Sequence, residues 1–499
     1  MNWRGRARPG VADAAFGIVL IMGLIGGRHG FLNDPGTFWH HRLGRDILQT
    51  GTLPWLDTLT YTQAGLPWPD MYWGFDALLA AIVARGGWAA AVAATAVALG
   101  WIYGALALNL LRRGASSAAA LSAAVVAAGV GSVHFLTRPH LFTFAFVLWT
   151  LCACRRFHDR GGREIWLVPL VMVAWANVHG GFLAGPLIVA TAALGHAASG
   201  PLDANRWRRI GVFLAVAALS VLAPLANPYG FGLYRHVFDL MATSGVTELI
   251  FEHQPPQFGK PLARLLEGLI LALVALQAFS RTRLSRYELA HVVVWLHMAL
   301  TSIRHAPLLA IAAAPTLARL IDGLLAAPAS SPSPSPSPSP VPAPERVWWS
   351  PWPALATVAV LWGAAVGLPF GGHDPTYWPL SALPALDREP ISARLFHEQD
   401  WGGLVEDRCQ PPRLAFMDDR FELWGRKPIL EYLGALNGGP DWDALRDRLD
   451  ISLVWLRPDR DLARRLGADP AWEVVHRDGV SVLFKRKPNA PPTVAATAP

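Results

Sequence analysis

Charged residues are scarce in this chain, at 16% of its 499 residues, whereas hydrophobic residues make up 53%. A soluble protein normally carries about a quarter charged residues. So much apolar surface cannot be hidden in one water-exposed fold, so we expect lipid to solvate the excess. Cysteine is also scarce. The chain has 3 cysteines, two of them (Cys152 and Cys154) inside an apolar segment, so no disulfide framework is indicated.

The net charge of +7 could indicate a nucleic-acid partner, but its distribution argues against one. The basic residues cluster between apolar segments, as expected for residues that anchor membrane helices at the cytoplasmic face. A basic stripe interleaved with aromatic residues is missing from the sequence. We therefore expect membrane lipid, and no nucleic acid, as a partner.

Long apolar segments recur through most of the sequence. About 20 apolar residues are needed to cross a bilayer as a helix. The first such segment follows a basic N-terminus without a clear cleavage pattern, so an uncleaved helix is expected. Tyr72–Gly87 is short and carries Asp76 and Arg85, and is interpreted as re-entrant or interfacial. The predicted spans are eleven: 11–28, 88–111, 115–136, 140–155, 165–179, 182–198, 208–226, 262–280, 287–303, 306–325 and 349–370.

The arginine clusters predict the orientation of these spans, because cytoplasmic loops are enriched in Lys and Arg. Eleven spans place every cluster on the cytoplasmic side. The chain would then start in the cytoplasm and end outside, in a bacterial cytoplasmic (inner) membrane. The clusters are the N-terminal arginines, Arg112-Arg113, Arg155-Arg156 with Arg160 and Arg163, Arg206 with Arg208-Arg209, and Arg281, Arg283 and Arg286.

The predicted fold class is an α-helical polytopic membrane protein with a small C-terminal soluble α/β domain. Residues 1–326 form the multi-span part, with a long outer loop at 29–75. A Ser/Pro-rich cytoplasmic linker at 327–345 precedes the last span at 346–370. Residues 371–499 form the extracytoplasmic domain, with strands predicted at 413–417, 452–456 and 480–485, and helices at 441–449 and 459–466.

This topology places most ionisable residues that lie at helix ends on the outer side. Carboxylates together with Arg, Lys and His can bind a phosphate and activate a hydroxyl group. In the first outer loop, Pro35–Gln49 predicts an amphipathic helix lying in the membrane interface. Asp34 stands at its N-terminal edge, where the positive helix end favours an ionised carboxylate. Several polar turns on one face therefore predict an outward-facing site.

The motifs resemble those of the GT-C superfamily of membrane glycosyltransferases. Asn33–His40 followed by Gly51–Asp57 is similar to the first outer loop of oligosaccharyltransferase catalytic subunits. Bacterial membrane proteins of this class share further motifs with the chain, and lipid-linked-sugar transferases are more distant relatives. Those motifs are Trp-Ala-Asn-Val-His-Gly-Gly (175–181), Asn-Pro-Tyr-Gly (227–230), Glu-His-Gln-Pro-Pro (252–256), Arg304-His305, Gln399–Gly403 and Asp418–Gly425.

The resemblance implies transfer of a sugar from a polyprenyl-phosphate-linked donor to a glycan, lipid or protein acceptor at the outer face of the membrane. Asp34 matches the catalytic acid of the first loop, and Glu252 is similar in position to a glutamate of a later outer loop. Gln399–Gly403 only faintly resembles the acceptor-reading motif, because a tryptophan pair and a tyrosine are missing. The further candidates fall into two groups: Arg138, His140, Lys260, Arg304 and His305 for the donor phosphate, and His40, His41, Asp57, Asn177, His179, Tyr229, Asp400 and Trp401 for substrate.

The cofactor prediction is either none or a divalent metal, Mn or Mg. Relatives often carry a second acid where this chain has Gly36. A metal would therefore need Asp34 together with Asp57 or Glu252 as ligands.

Other interpretations stay open from sequence alone. Asp34 can also cap the helix that begins at Pro35, and Asn177 and His179 can serve packing. A transporter or flippase would need ionisable residues at mid-membrane and inverted repeats, which the sequence does not show. A non-catalytic assembly protein that binds partners through its outer domain is the third reading.

Overall fold

The computed structural model describes residues 8–242, 248, 250–326 and 348–488. The first N-terminal arginines (Arg4 and Arg6) and the Ser/Pro-rich linker predicted at 327–345 lie outside the described residues. The helices are α1 (Val11–Gly30), α2 (Gly36–Thr50), α3 (Trp73–Arg112), α4 (Ser117–Gly131), α5 (His140–Arg160), α6 (Val168–Ala176), α7 (Ala184–Ala198), α8 (Ala204–Leu222), α9 (Phe231–Ala242), α10 (Pro261–Phe279), α11 (Arg286–Thr301), α12 (Ala306–Leu325), α13 (Trp352–Ala365), α14 (Leu383–Leu386), α15 (Gly402–Arg408), α16 (Arg426–Leu436), α17 (Pro440–Arg448) and α18 (Asp461–Ala468). The strands are β1 (Arg394–His397), β2 (Ile451–Leu456), β3 (Trp472–Arg477) and β4 (Val482–Arg486).

The chain divides into two compact units. Unit 1 comprises residues 1–28, 89–230 and 250–371, and therefore most of the apolar helices. Unit 2 comprises residues 29–88, 231–249 and 372–499, and therefore the first long loop together with the C-terminal part of the chain. The boundaries differ from the predicted ones, because the loop predicted as part of the membrane domain belongs to the same compact unit as the C-terminal domain.

Small residues build the interior of unit 1. Helix α4 is mostly Ala, Gly, Ser and Val, and it packs along the similarly Ala-rich α12. Small side chains allow helix backbones to approach closely, which is how helices associate in lipid. Ala120 and Ala124 are fully buried, as is Ala313 on α12. Helices α7, α8 and α11 also belong to the unit, and α11 packs against both α7 and α12.

Within the described part of the chain, six helical segments are long and apolar enough to cross a membrane: Val11–Gly30, Trp73–Arg112, Ser117–His134, Gly180–Ala198, Ala204–Ala226 and Ile303–Leu325. Several expose large apolar side chains, such as Ile25 (75%) and Leu222 (58%), as expected of a lipid-facing surface. The chain is a membrane protein with apolar helices. Each of the eleven predicted segments overlaps a helix. The count of eleven membrane spans is not confirmed. The orientation of the chain in the membrane stays a prediction.

The segment Tyr72–Gly87, predicted as re-entrant or interfacial, is helical from Trp73 and ends where α3 is interrupted, at Gly86 and Gly87. Its separation from the span predicted at 88–111 agrees with this break, and its position relative to the membrane stays a prediction. Gly87 has φ of +63°, a conformation that side chains with a Cβ rarely adopt. The glycine pair thus breaks the helix at a point where the apolar composition continues without interruption.

Unit 2 contains a four-stranded sheet in the order β1-β2-β4-β3. Strand β1 runs parallel to β2, and β4 is antiparallel to both β2 and β3. The predicted strands at 452–456 and 480–485 correspond to β2 and β4. The strand predicted at 413–417 is wrong, because Ala415 forms one isolated bridge with Thr60 of the first loop and does not join the sheet.

Helix α2 completes the hydrophobic core of the C-terminal domain. Phe38 is fully buried in the same cluster as Trp378, Trp401 and Trp455. Its ring packs edge-on against Trp378, with 4.8 Å between the ring centroids. The helix predicted at 35–49 is therefore present, but its apolar face is covered by protein, in contrast to the expected interfacial position.

Candidate functional site

Asp34 lies at the entrance to α2 and is 6% exposed. Its Oδ1 accepts a hydrogen bond from the Gly36 backbone N–H at 2.9 Å. The loop thus turns the carboxylate back onto the first helical turn, where the helix dipole stabilises its negative charge. A helix-capping role and a chemical role for Asp34 are compatible with this arrangement.

The first turn of α2 is held from the other side by α15 of the C-terminal domain. A Cβ atom at Gly403 would lie 2.8 Å from the Pro35 carbonyl oxygen and 3.0 Å from the Trp39 backbone nitrogen. Only glycine allows this approach. The Asp-Trp-Gly-Gly sequence of residues 400–403 therefore positions the backbone next to Asp34.

Further polar groups of the C-terminal domain surround this turn. Trp39 Nε1 donates to Asp419 Oδ1 at 2.5 Å, and Asp34, Asp400 and Asp419 all act electrostatically on the Tyr377 hydroxyl. Burial, reinforced by these carboxylates, raises the pKa of Tyr377. The tyrosine thus stays protonated and can donate a hydrogen bond beside the acids. Sequence analysis did not select Tyr377 or Asp419 as site residues.

Asp400 and Trp401 have different environments within this region. Asp400 Oδ2 accepts from Arg457 Nη2 at 2.8 Å. Trp401 is fully buried and packs on Trp455, with ring centroids 5.0 Å apart. Asp400 is thus a partly exposed, paired carboxylate, whereas Trp401 is a core residue of the domain.

His40 and His41 face buried carboxylates. His40 Nδ1 lies 2.6 Å from Asp76 Oδ1, and His41 Nδ1 lies 2.8 Å from Asp407 Oδ1. Asp76 also hydrogen-bonds Asp70. Burial raises the pKa of Asp70 to about 7, although the Tyr72 N–H, Asp76 and Arg420 each act to lower it. These contacts order the loop after α2.

Asp57 is a buried ion-pair partner. Its Oδ1 accepts from Arg420 Nη2 at 2.8 Å, and its Oδ2 accepts from the Thr60 hydroxyl at 2.6 Å. The side chain is fully inaccessible to solvent. This arrangement secures the first loop to the C-terminal domain.

A second polar cluster lies in unit 1, where residues 132–140, 177–181, 250–254 and 302–305 connect helices. Glu252 lies at its centre. Its Oε1 is 3.8 Å from Arg304 Nη1 and 3.8 Å from His253 Nε2, and its Oε2 is 4.0 Å from His134 Nδ1. The backbone supports this arrangement, since Ser302 Oγ donates to the Glu252 carbonyl at 2.9 Å.

Cationic side chains surround the Glu252 carboxylate. Burial alone would raise the pKa of Glu252, but Arg304, His134 and Arg138 hold it well below the usual value. Burial and Arg304 lower the pKa of His253 to about 4, and Arg304 Nη1 donates to its unprotonated Nε2 at 2.6 Å. Among the described residues, Arg304 and Arg138 both act electrostatically on Glu252, and guanidinium groups are well suited to binding an anion.

His140 and His179 border the same cluster. His179 Nδ1 accepts from the Gly181 N–H at 3.0 Å and lies 2.7 Å from Thr143 Oγ1. Burial, Arg304 and Arg138 together lower the pKa of His179 to about 3. His140 Nε2 lies 2.5 Å from the His134 carbonyl oxygen. The two histidines are thus neutral or backbone-bound groups near the arginines. His134 was not a predicted site residue, although it lies only four positions before Arg138.

The other predicted residues of unit 1 have local partners. His305 Nδ1 lies 3.1 Å from the Met298 carbonyl oxygen, and Asn177 Nδ2 donates to the Val173 carbonyl at 2.7 Å. The Tyr229 N–H donates to Asn227 Oδ1 at 2.7 Å within a turn. Lys260 is exposed and precedes α10.

The predicted metal ligands were tested against this geometry. Among the residues that the structure describes, no group of three or more His, Cys, Asp or Glu side chains could hold a metal ion. The Asp57 oxygens are engaged by Arg420 and Thr60, and Glu252 is surrounded by cationic and imidazole groups. The cofactor stays a prediction, and no chemical step is assigned to a metal.

The fold is similar to that of two solved structures of the Archaeoglobus fulgidus oligosaccharyltransferase. One is tethered by a disulfide bond to an acceptor peptide containing the NVT sequon, and the other is the apo form. Each has a TM-score of 0.50 and 13% sequence identity, and the alignments cover 89% of this chain and 68% and 69% of those chains. This chain has an oligosaccharyltransferase-like fold.

No protein-family model matches the sequence, and no curated protein matches it. The fold similarity to an oligosaccharyltransferase expected from the sequence motifs is thus confirmed. The bacterial branch of the superfamily and the roles of individual residues stay predictions.

Proposed function

We propose that this oligosaccharyltransferase-like chain transfers a sugar from a polyprenyl-phosphate-linked donor to an acceptor hydroxyl at the outer face of the cytoplasmic membrane. The observation that carries the proposal is the cluster of Arg138, Arg304 and Glu252 in unit 1, which combines two guanidinium groups with one carboxylate. A phosphate oxyanion is the complementary ligand for such a surplus of guanidinium groups.

Arg138 and Arg304 bind the donor phosphate in this scheme. When the bond between the sugar C1 and the phosphate oxygen breaks, negative charge grows on the departing lipid phosphate. Cationic groups already in place stabilise that charge without reorganisation. Glu252 holds Arg304 in position, and Lys260 and His305 are further candidate contacts to the phosphate.

Asp34 is the proposed general base. The acceptor hydroxyl gives its proton to the Asp34 carboxylate while its oxygen bonds to the sugar C1. The position of Asp34 at the N-terminus of α2 favours the ionised form that this role requires. The carboxylate of Asp400 and the turn that carries Asp419 lie in the same unit, and are proposed to contact the acceptor.

The decisive experiment measures release of polyprenyl phosphate from a lipid-linked sugar by the purified full chain. Asp34→Asn keeps the shape of the side chain and is expected to lower kcat by two orders of magnitude or more, because general-base catalysis contributes about 10² to 10⁴. The matched control is Asp46→Asn on the same helix, where the carboxylate pairs with Arg42 on a partly exposed surface. Full activity of Asp34→Asn would refute its proposed role.

A further inference from the structure

A third polar cluster lies in unit 1, far along the helices from Glu252. Helix α5 begins at His140 and carries Arg155 fifteen positions later, and α12 carries Arg319 fifteen positions after Arg304. At 1.5 Å per residue, this spacing corresponds to about 22 Å along each helix. Arg155 and Arg319 therefore lie at the opposite ends of these helices from the proposed donor site.

Three arginines from three helical regions converge on Glu288 of α11. The distances from its carboxylate oxygens are 2.9 Å to Arg319 Nη2, 3.3 Å to Arg155 Nη1 and 3.6 Å to Arg113 Nη2. Glu288 is 5% exposed and also accepts from the Ser285 N–H and hydroxyl in a capping box. One fully engaged carboxylate is thus surrounded by three cations.

The positive charge of this cluster is not balanced by its own carboxylates. Arg155 Nε also donates to both carboxylate oxygens of Asp159, at 2.9 and 2.8 Å. Among the described residues, the cluster thus has three guanidinium groups and two carboxylates. Arg113 makes the longest contact of the three, at 3.6 Å, so its guanidinium group has hydrogen-bonding capacity left for a further anion.

A cavity of about 30 Å³ opens beside these arginines. That is roughly twice the space that one water molecule needs. His291 lines it and is 4% exposed, and neither of its ring nitrogens has a hydrogen-bond partner among the described residues. The Tyr287 hydroxyl, also in the lining, is likewise buried and unpartnered there. Buried polar groups without partners are rare and point to a ligand or to ordered water.

We propose that this cavity binds the phosphate group of an anionic phospholipid. Arg113 and Arg155 would hold the phosphate oxygens, and His291 and Tyr287 would donate hydrogen bonds from the inner end. Glu288, Asn109 and Cys152 also line the cavity, and the rest of its lining is apolar: Leu106, Leu148, Leu151, Ile311, Ala312 and Pro315. An amphiphile whose charged group meets arginines and whose chain meets aliphatic residues fits this lining, and basic pockets between membrane helices bind anionic head groups.

The site is independent of the proposed sugar transfer, because it lies at the other ends of the helices and uses different residues. Its expected effect is on stability. A ligand that binds only the folded state stabilises it by an amount that grows with the ratio of ligand concentration to Kd. An occupied site would join α3, α5 and α11 through one phosphate group.

The test measures the Tm of the purified full chain in detergent as phosphatidylglycerol, phosphatidylcholine or inorganic phosphate is added. Phosphatidylglycerol is expected to raise Tm, and phosphatidylcholine to leave it nearly unchanged. Arg113→Gln is expected to weaken the apparent affinity for phosphatidylglycerol about tenfold or more, because it removes a charged hydrogen-bond donor. The matched control is Arg156→Gln, which removes the same charge from a guanidinium 3.9 Å from Glu164 on the surface.

His291→Phe is the second variant, since it keeps a ring in the cavity and removes both nitrogens. It is expected to reduce the rise in Tm that phosphatidylglycerol causes, while the variant without added lipid still unfolds cooperatively. An equal Arg113-dependent rise with inorganic phosphate would support the phosphate site and identify free phosphate as its ligand. If neither ligand raises Tm, or if Arg113→Gln and Arg156→Gln weaken the effect equally, the proposal is wrong.

Discussion

Arg420 and Asp57 are 363 positions apart in sequence, yet Arg420 Nη2 lies 2.8 Å from Asp57 Oδ1. Both side chains are at most 2% exposed. Arg420 also pairs with Asp418, and its guanidinium carbon lies 4.6 Å from the ring centroid of Trp68. Through this pair the first long loop and the C-terminal domain form one folded unit, so the loop that carries Asp34 depends on residues near the end of the chain.

Arg420→Gln is expected to destabilise unit 2 strongly. The substitution leaves the carboxylates of Asp57 and Asp418 buried without their cationic partner. Removing one partner of a buried ion pair costs about 3 to 5 kcal/mol of folding stability. Thermal unfolding and limited proteolysis of the purified chain measure the loss. The double variant Asp57→Asn with Arg420→Gln should recover part of it, because one unpaired charge is removed. A free energy of unfolding unchanged in Arg420→Gln would contradict this account.

Asp70→Asn is expected to stabilise the protein more at pH 8 than at pH 5. The pKa of Asp70 is raised to about 7 in the folded state, so between about pH 4 and 7 the folded state binds more protons than the unfolded state. The stability contributed by protonated Asp70 is therefore present at low pH and lost as pH rises through 7. Asparagine has nearly the shape of the protonated acid but does not ionise.

The measurement for Asp70 is Tm as a function of pH for both proteins. The control is Asp46→Asn on α2, whose carboxylate is partly exposed and pairs with Arg42. That control should shift Tm by a similar small amount at both pH values. A constant difference between Asp70→Asn and the unsubstituted protein from pH 5 to 8 would show that Asp70 is ionised throughout.

Gly403→Ala is expected to lower both the kcat of the proposed transfer and the stability of unit 2. The added Cβ would lie 2.8 Å from the Pro35 carbonyl oxygen, a backbone atom, so the first turn of α2 must shift. Small misplacements of catalytic groups reduce rates substantially. Gly479→Ala is the control, because its Cβ would meet no atom within 4 Å. Equal activity of both variants would show that this contact does not position Asp34.

Arg304→Gln is expected to raise KM for the lipid-linked donor and to lower kcat, because Arg304 is proposed to contact phosphate before and during bond cleavage. Arg304→Lys should recover part of the activity, since it restores the charge without the bidentate fork. Steady-state kinetics with donor varied at saturating acceptor separates the two effects. Unchanged donor kinetics in Arg304→Gln would place the phosphate elsewhere.

The sequence by itself determined the membrane class, the positions of the apolar helices and the existence of a C-terminal α/β domain. Long apolar segments and the amphipathic period of α2 are local properties, so they can be read from neighbouring residues. Strands β2 and β4 were predicted for the same reason. Strands β1 and β3 were missed. The segment at 413–417 was assigned to the sheet because local composition does not show which partner a strand pairs with.

Only the tertiary structure decided which polar residues act together. Glu252, Arg304 and His134 come from three separate stretches of unit 1, and His134 carries no local signal that distinguishes it from a packing histidine. Phe38 and Trp39 are typical of an interfacial helix by sequence, but Trp378 and Asp419, more than 300 residues later, provide their contacts. The physical reason is that burial and ion pairing depend on long-range packing, which fixes the environment of a side chain and with it the charge it carries.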